Sequence, residues 1–158
     1  MATRSIPEGY HTVTPYLIIH DPVAALDFYQ RAFGATVLLR LDSPDGKIAH
    51  AEIEIGDSPI MMAGEYPDMG YLSPKSLGGS PTSLMLYVED VDTRFQRAIE
   101  AGGTEVRPIQ DQFYGDRSGT LRDPFGHVWT IATHKEDVSQ EEIERRFATM
   151  SDDKQGNG

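Results

Sequence analysis

HDPVAALDFYQRAFGA, residues 20–35, and VEDVDTRFQRAIEAGG, residues 88–103, decide the fold, because the second stretch repeats the plan of the first. Asp21 and Asp90 each follow an apolar run and open a helical pattern. Gly34 and Gly103 each close one. Both pairs stand 69 residues apart. Two independent landmarks at one offset point to an internal duplication.

Each landmark has a local cause. Asp21 can accept from the free amides of a helix start, and Pro22 stands where a missing N–H costs nothing. Between residues 22 and 33, Val23, Leu26, Phe28, Tyr29, Ala32 and Phe33 recur at a helical period. Gly34 permits the left-handed C-cap. In the second copy Asp90 caps, Val91, Phe95, Ala98 and Ile99 form the stripe, and Gly102 and Gly103 end it. Strands are expected at 13–19, 35–42, 48–55 and after the Gly56–Asp57 turn, then at SLMLYV, EVRPI, SGTLR and VWTIA. Pro15 and Pro108 suit an edge or a bulge better than a central strand.

Working outward, residues 65–81 hold Pro67, Pro74 and Pro81 and read as a linker, whose Met69, Tyr71 and Leu72 suggest a loop that packs back as a lid. Ser139 and Glu142 form a capping box for a helix over 140–149, and 151–158 reads as a disordered tail. The expected organisation is one domain over 1–150: module one at 10–64, linker 65–81, module two at 82–134 and the terminal helix.

Composition narrows the function. Twenty-five acidic residues against fourteen basic ones give a formal net charge of -11. That field repels a phosphate backbone and argues against nucleic acid as partner. Cysteine is absent, which removes disulfides and thiolates. No apolar run is long enough to span a bilayer, and MATRSIPEGYH lacks the apolar stretch of a secretion signal, so a cytoplasmic protein without membrane contact is expected.

HDPVAALDFYQRAFGA, VEDVDTRFQRAIEAGG and DPFGHVWTIAT (residues 123–133) together resemble the vicinal oxygen chelate superfamily, which includes glyoxalase I, extradiol dioxygenases, and fosfomycin- and bleomycin-resistance proteins. HTVTPYL, SPKSLGG and DPFGHVW resemble its PhnB-like, glyoxalase-like branch. The resemblance implies an α+β fold of two tandem βαβββ modules forming an incomplete curved barrel, often as a homodimer. It also implies a divalent metal held by His or Glu from four strands. The matching positions here are Thr14, Met61, Ser83 and Thr130. Hydroxyls and a thioether do not replace imidazole or carboxylate around a divalent cation, so no metal and no cofactor are expected.

Those four positions also set the strand faces, since side chains alternate. Thr12, Tyr16, Ile18, Met85 and Tyr87 are expected inward, with Val13, Leu17, Ile19 and Pro15 toward the helices. In residues 48–55 the apolar set is Ala51, Ile53 and Ile55. His50, Glu52 and Glu54 therefore share the opposite face. His50 and Glu52 are the candidate catalytic pair, Glu52 polarising the imidazole for proton transfer or for donation to a ligand. The expected ligand pocket is lined by Thr14, Tyr16, Glu54, Met61, Ser83, Met85, Tyr87, Tyr114, Arg117 and Thr130. Tyr114 is placed to cap a ligand, and Arg117 to pair with a carboxylate on ligand or protein. Asp123 and Gly126 read as turn-forming.

Three functions remain open. The first is a glyoxalase/bleomycin-resistance-like protein that holds a small organic molecule without the usual metal. The second is a metal-dependent lyase or isomerase with a shifted site around His50 and Glu52, completed by His127 or His11. The third is a non-catalytic interaction protein. Whether a reaction is catalysed is undecided at this stage. A homodimer is expected because open sheet edges and the apolar stripe of the last helix invite cover.

Overall fold

The structure, a computed structural model, describes residues 2–155. Two βαβββ units follow one another. The first comprises β1 (Tyr16–Ile18), α1 (Pro22–Phe33), β2 (Thr36–Asp42), β3 (Ile48–Ile55) and β4 (Ser58–Ala63). A 3-10 turn at Pro67–Met69 and the short helix α2 (Pro74–Leu77) connect it to the second. That unit comprises β5 (Ser83–Tyr87), α3 (Val91–Ala101), β6 (Thr104–Asp111), β7 (Asp116–Arg122) and β8 (Val128–His134), and is followed by α4 (Gln140–Gln155). The strands form two separate four-stranded mixed sheets, ordered β1-β4-β3-β2 and β5-β8-β7-β6. The arrangement is α+β, with open sheets and no closed barrel. No helix of the described residues is long and apolar enough to cross a membrane.

The helix ends follow the chemistry of their caps. Asp21 accepts from the amide of Ala24 at 3.1 Å, and Asp90 from that of Thr93 at 3.2 Å. Gly34 closes α1 with φ 68°. The second C-cap is Gly102 with φ 125°, one residue before the expected Gly103. Gly103 instead packs its backbone against Ala98, where an added Cβ would lie 3.0 Å from the Ala98 oxygen. β1 is shorter than the expected 13–19: it starts after Pro15, and Val13 is 82% exposed rather than packed on a helix. Pro108 lies on the edge strand β6, where the register slips between Arg107 and Gln110.

The linker is ordered. Tyr66 and Tyr71 form an isolated bridge, the Glu65 carboxylate accepts from the Ser73 amide at 2.7 Å, and Pro74 is buried. Pro74 presses on Gly126, whose hypothetical Cβ would stand 2.7 Å from Pro74 Cβ. α4 continues to Gln155 instead of stopping at 149, so the expected tail begins as helix; residues 156–158 lie outside the described residues. Ser139 caps α4 through the Glu142 amide, and Glu142 then pairs with Arg145 and Arg146. Such same-side pairs stabilise a polar helix through its length.

The two units share one core. α1 packs on α3, and Trp129 of β8 lies 4.7 Å from the ring of Phe33 on α1. Leu17, Ile19, Ala51, Ile53, Leu121 and Ile131 supply the helix-facing sides of both sheets and are buried. Asp123 joins the units chemically. Its buried carboxylate accepts from the Tyr29 hydroxyl at 2.5 Å, Trp129 Nε1 at 3.0 Å, and the amides of Phe125 and His127 at 2.9 Å each. A buried charge survives where several donors replace its water. Tyr29 belongs to the first unit, so this hub fixes α1 to the second sheet.

Candidate functional site

With one face of each sheet covered by helices, the other is open, and alternation along the strands decides what it shows. On the first sheet the ladder sets Tyr16 beside Met61, and Met61 beside Glu52. On the second it sets Met85 beside Thr130, and Thr130 beside Thr120. The Tyr16–Met61 and Met85–Thr130 pairs match at the repeat offset of 69. They also displace part of the expected site. Thr14 precedes β1 and its hydroxyl donates to the His11 carbonyl at 3.1 Å. Ser83 pairs with Val128, not Thr130. Tyr16 and Met85 thus take the neighbouring places beside Met61 and Thr130. Of the four expected positions, Thr14 lies before β1, Met61 on the first sheet, and Ser83 and Thr130 on the second.

His50, Glu52 and Glu54 do share the open face of β3, each half-buried, while Ala51, Ile53 and Ile55 are buried behind them. They enter a continuous hydrogen-bonded chain. Tyr16 Oη lies 2.8 Å from His50 Nδ1, and His50 Nε2 lies 3.0 Å from Glu52 Oε1. Tyr10 donates its hydroxyl to the other Glu52 oxygen. The Tyr10 bond, with help from His50, holds the Glu52 carboxyl below its ordinary pKa, so it is an acceptor only. Nε2 therefore carries the imidazole proton and Nδ1 accepts from Tyr16. Burial raises the Tyr16 phenol, which keeps its proton at neutral pH. Tyr16 is 49% exposed, so the chain ends in an accessible phenol.

The second open face carries a parallel cluster. Tyr87 donates to Asp116 Oδ2 at 2.8 Å, and His134 Nδ1 lies 2.7 Å from Asp116 Oδ1. His134 Nε2 meets Asp137 at 2.7 Å. The two carboxylates, Asp116 first, raise the His134 pKa. Next to this cluster a hollow of about 500 Å³ is lined by Met85, Arg107, Gln110, Tyr114, Thr120 and Thr130, among others. Tyr114 stands edge-on to Phe113 at 5.2 Å.

Arg117 is not part of this surface. Its guanidinium grips Asp92 of α3 at 2.9 and 3.0 Å and reaches Asp111 at 3.3 Å. β7 alternation turns it to the helix side with Gly119 and Leu121. Tyr10 was not singled out from the sequence, and Asp116 and His134 were not expected in the site. His134 could have been found, because it stands four residues beyond Thr130 on the same strand face. Tyr10 gives no such signal, lying outside any strand and 42 residues from Glu52.

The donor chemistry of the open faces does not fit the metal that the family resemblance implies. Thr14, Met61, Ser83 and Thr130, with their neighbours Tyr16 and Met85, offer hydroxyls, a phenol and thioethers. Glu52 is committed to His50 and Tyr10. The two further donors of a shifted site are engaged elsewhere: His127 Nε2 lies 3.1 Å from the Ile18 carbonyl, and His11 Nε2 lies 3.1 Å from that of Asp57. Among the described residues, no three His, Asp or Glu side chains gather in a geometry that would hold an ion.

Comparison with known proteins agrees with the fold. The family model of the Glyoxalase/Bleomycin resistance protein/Dioxygenase superfamily matches residues 10–131. The Mycobacterium tuberculosis (strain ATCC 25618 / H37Rv) protein Rv0887c is 40% identical over 143 residues, covering 89% of this chain and 84% of its own length. The crystal structure of TioX from Micromonospora sp. ML1 superposes with a TM-score of 0.62 at 29% identity, covering 82% of this chain and 100% of that one. Protein PA1353 from Pseudomonas aeruginosa gives a TM-score of 0.64 at 25% identity, covering 80% and 99%.

Proposed function

This chain belongs to the Glyoxalase/Bleomycin resistance protein/Dioxygenase superfamily, and from that premise we propose that it binds a small organic molecule on the open faces of its sheets, without the divalent metal. One observation carries the reading. The open-face rows present aromatic rings and thioethers beside polar chains that are already internally satisfied: Tyr16–His50–Glu52–Tyr10 on one sheet and Tyr87–Asp116–His134 on the other. Apolar contact area with a few fixed polar groups is the composition of a ligand site. Tyr16, Met85 and Tyr87 supply the contact area, and the exposed Tyr16 hydroxyl, held in place by His50 and Glu52, orients the ligand, with Thr130 beside it, Glu54 at the rim and Tyr114 beside the hollow.

The open faces also support a homodimer. Tyr16, Met85 and Tyr87 are half-exposed or more, and both outer strands, β2 and β6, expose apolar side chains such as Leu41 and Val106. A second copy covers such surfaces, and its sheet would close the site over the ligand. The mass of the protein in solution tests that part alone.

The binding claim is tested with chelator-treated, isotope-labelled protein and a library of small aromatic and carbonyl compounds. Binding should shift the amide signals of residues around Tyr16, His50, Met85 and Thr130, and His50→Ala should weaken it at least tenfold. Shifts confined to other surfaces, or binding restored only by adding zinc or nickel, would overturn the proposal.

A further inference from the structure

Beside the open face of the first sheet, at Tyr16, a cleft runs under the linker between the two units. Its inner part, about 240 Å³, is walled by Leu17, Leu72, Leu77, Pro81 and Leu84, with His127 beside it. Its outer part, about 440 Å³, is lined by Lys75 and Arg122 and by the glycines 78, 79 and 126. The parts are continuous: Pro74, Gly79, Ser80 and Val128 border both. No aspartate or glutamate lines either part. In a chain of net charge -11 that is a local reversal of sign.

Both cations are available. Among the described residues, neither Lys75 nor Arg122 forms an ion pair, although eleven such pairs are made elsewhere. Room for an occupant is kept by backbone conformation. Gly78 and Gly79 have φ values of 83° and 156°, where side chains are disfavoured, and nothing lies within 4 Å of where a Cβ would stand, so the mouth stays open. The walls are held by bonds, not by an occupant. Gly79 donates to the Pro74 carbonyl at 2.9 Å, and His127 reaches across to the Ile18 carbonyl.

We infer that this cleft binds a carboxylate carried on a short alkyl chain, the head between Lys75 and Arg122 and the chain in the apolar part. This site adjoins the open face of the first sheet at Tyr16, and it does not rest on the function proposed for that face. Two cations without a partner favour an anionic head, and the leucines and prolines of the adjoining part favour an apolar chain attached to it.

The experiment is calorimetric titration of the full chain with hexanoate, heptanoate, octanoate and octylammonium. Affinity should rise about fourfold per added methylene, the factor expected for burying one such group. Octylammonium should not bind. Lys75→Glu combined with Arg122→Glu should weaken octanoate at least tenfold, and Lys75→Gln should weaken it less, while Arg31→Gln, which removes a cation on α1, leaves it unchanged. Both cations are exposed and unpaired, so these variants should keep the wild-type circular dichroism melt. Equal binding of octanoate and octylammonium, no measurable octanoate binding, or full affinity in the double variant would each overturn the inference.

Discussion

Tyr29→Phe removes one oxygen from the centre of the molecule and should cost about 2 kcal/mol of folding stability. The ring stays, so its stacking on Phe33 and its packing on Trp129 are kept. What is lost is the hydroxyl that donates to Asp123 at 2.5 Å. A hydrogen bond to an ionised group contributes about 1.5–3 kcal/mol net. Tyr29 is 0% exposed, so water cannot replace the donor. Trp129 Nε1 still serves the same carboxylate oxygen, which holds the loss toward the middle of that range. Burial raises the Tyr29 phenol well above its ordinary pKa, so the bond keeps its proton throughout the neutral range. Asp123→Ala is the harsher perturbation. It orphans a phenol, an indole N–H and two amides, and should cost more than about 4 kcal/mol. Urea unfolding measures both: with a slope of about 2 kcal/mol per molar, Tyr29→Phe should lower the midpoint by about 1 M. A Tyr29→Phe midpoint within about 0.25 M of wild type, at unchanged slope, would refute the view that the Asp123 hub fastens the two units.

Further outcomes follow from other parts of the structure. Because Asp116 and Asp137 raise the His134 pKa, its charged form stabilises the fold fully below the unfolded value of about 6.5. That contribution fades as pH rises through the higher folded value, so wild type should exceed His134→Gln by more at about pH 5.5 than at about pH 8.5. An equal difference at both pH values would contradict the cluster. Arg117→Ala should change stability little and leave small-molecule binding on the open faces intact, since its partners are the exposed Asp92 and Asp111. A titration showing lost binding would return Arg117 to the site. Gly126→Ala places a Cβ 2.7 Å from Pro74 at φ 95°, and should lower stability by more than about 1 kcal/mol. Thermal melting checks it; an unchanged melt would mean that the linker yields freely.

The duplication was legible because helix ends are local chemistry: Asp21 and Asp90 cap through their own side chains within three residues. The strand faces were legible for the same reason, since alternation needs only the apolar set Ala51, Ile53 and Ile55 to place His50 and Glu52 opposite. The lateral register was not. Which residue of β1 stands beside Met61 depends on where the ladder begins, and that is set by Pro15 and the contact of its carbonyl with the Met61 amide. Tyr16 therefore replaced Thr14 without any local warning. Arg117 pairs with protein carboxylates, one of the two partners expected for it; which of the two was not legible, because Asp92 lies on α3, 25 residues away, and charge alone does not say which face an arginine seeks. The length of α4 escaped a reading by composition. Residues 151–155 are all polar, so the apolar period gives out before the helix does.

The most direct test of the account is an electron-density map of the crystallised protein at the open faces, collected at a wavelength that reveals transition metals. The account predicts organic density against Tyr16, His50, Met85 or Thr130, with a second copy's sheet opposite and no anomalous peak there. An ion coordinated by these strands would contradict it, and so would faces packed shut by the protein's own side chains.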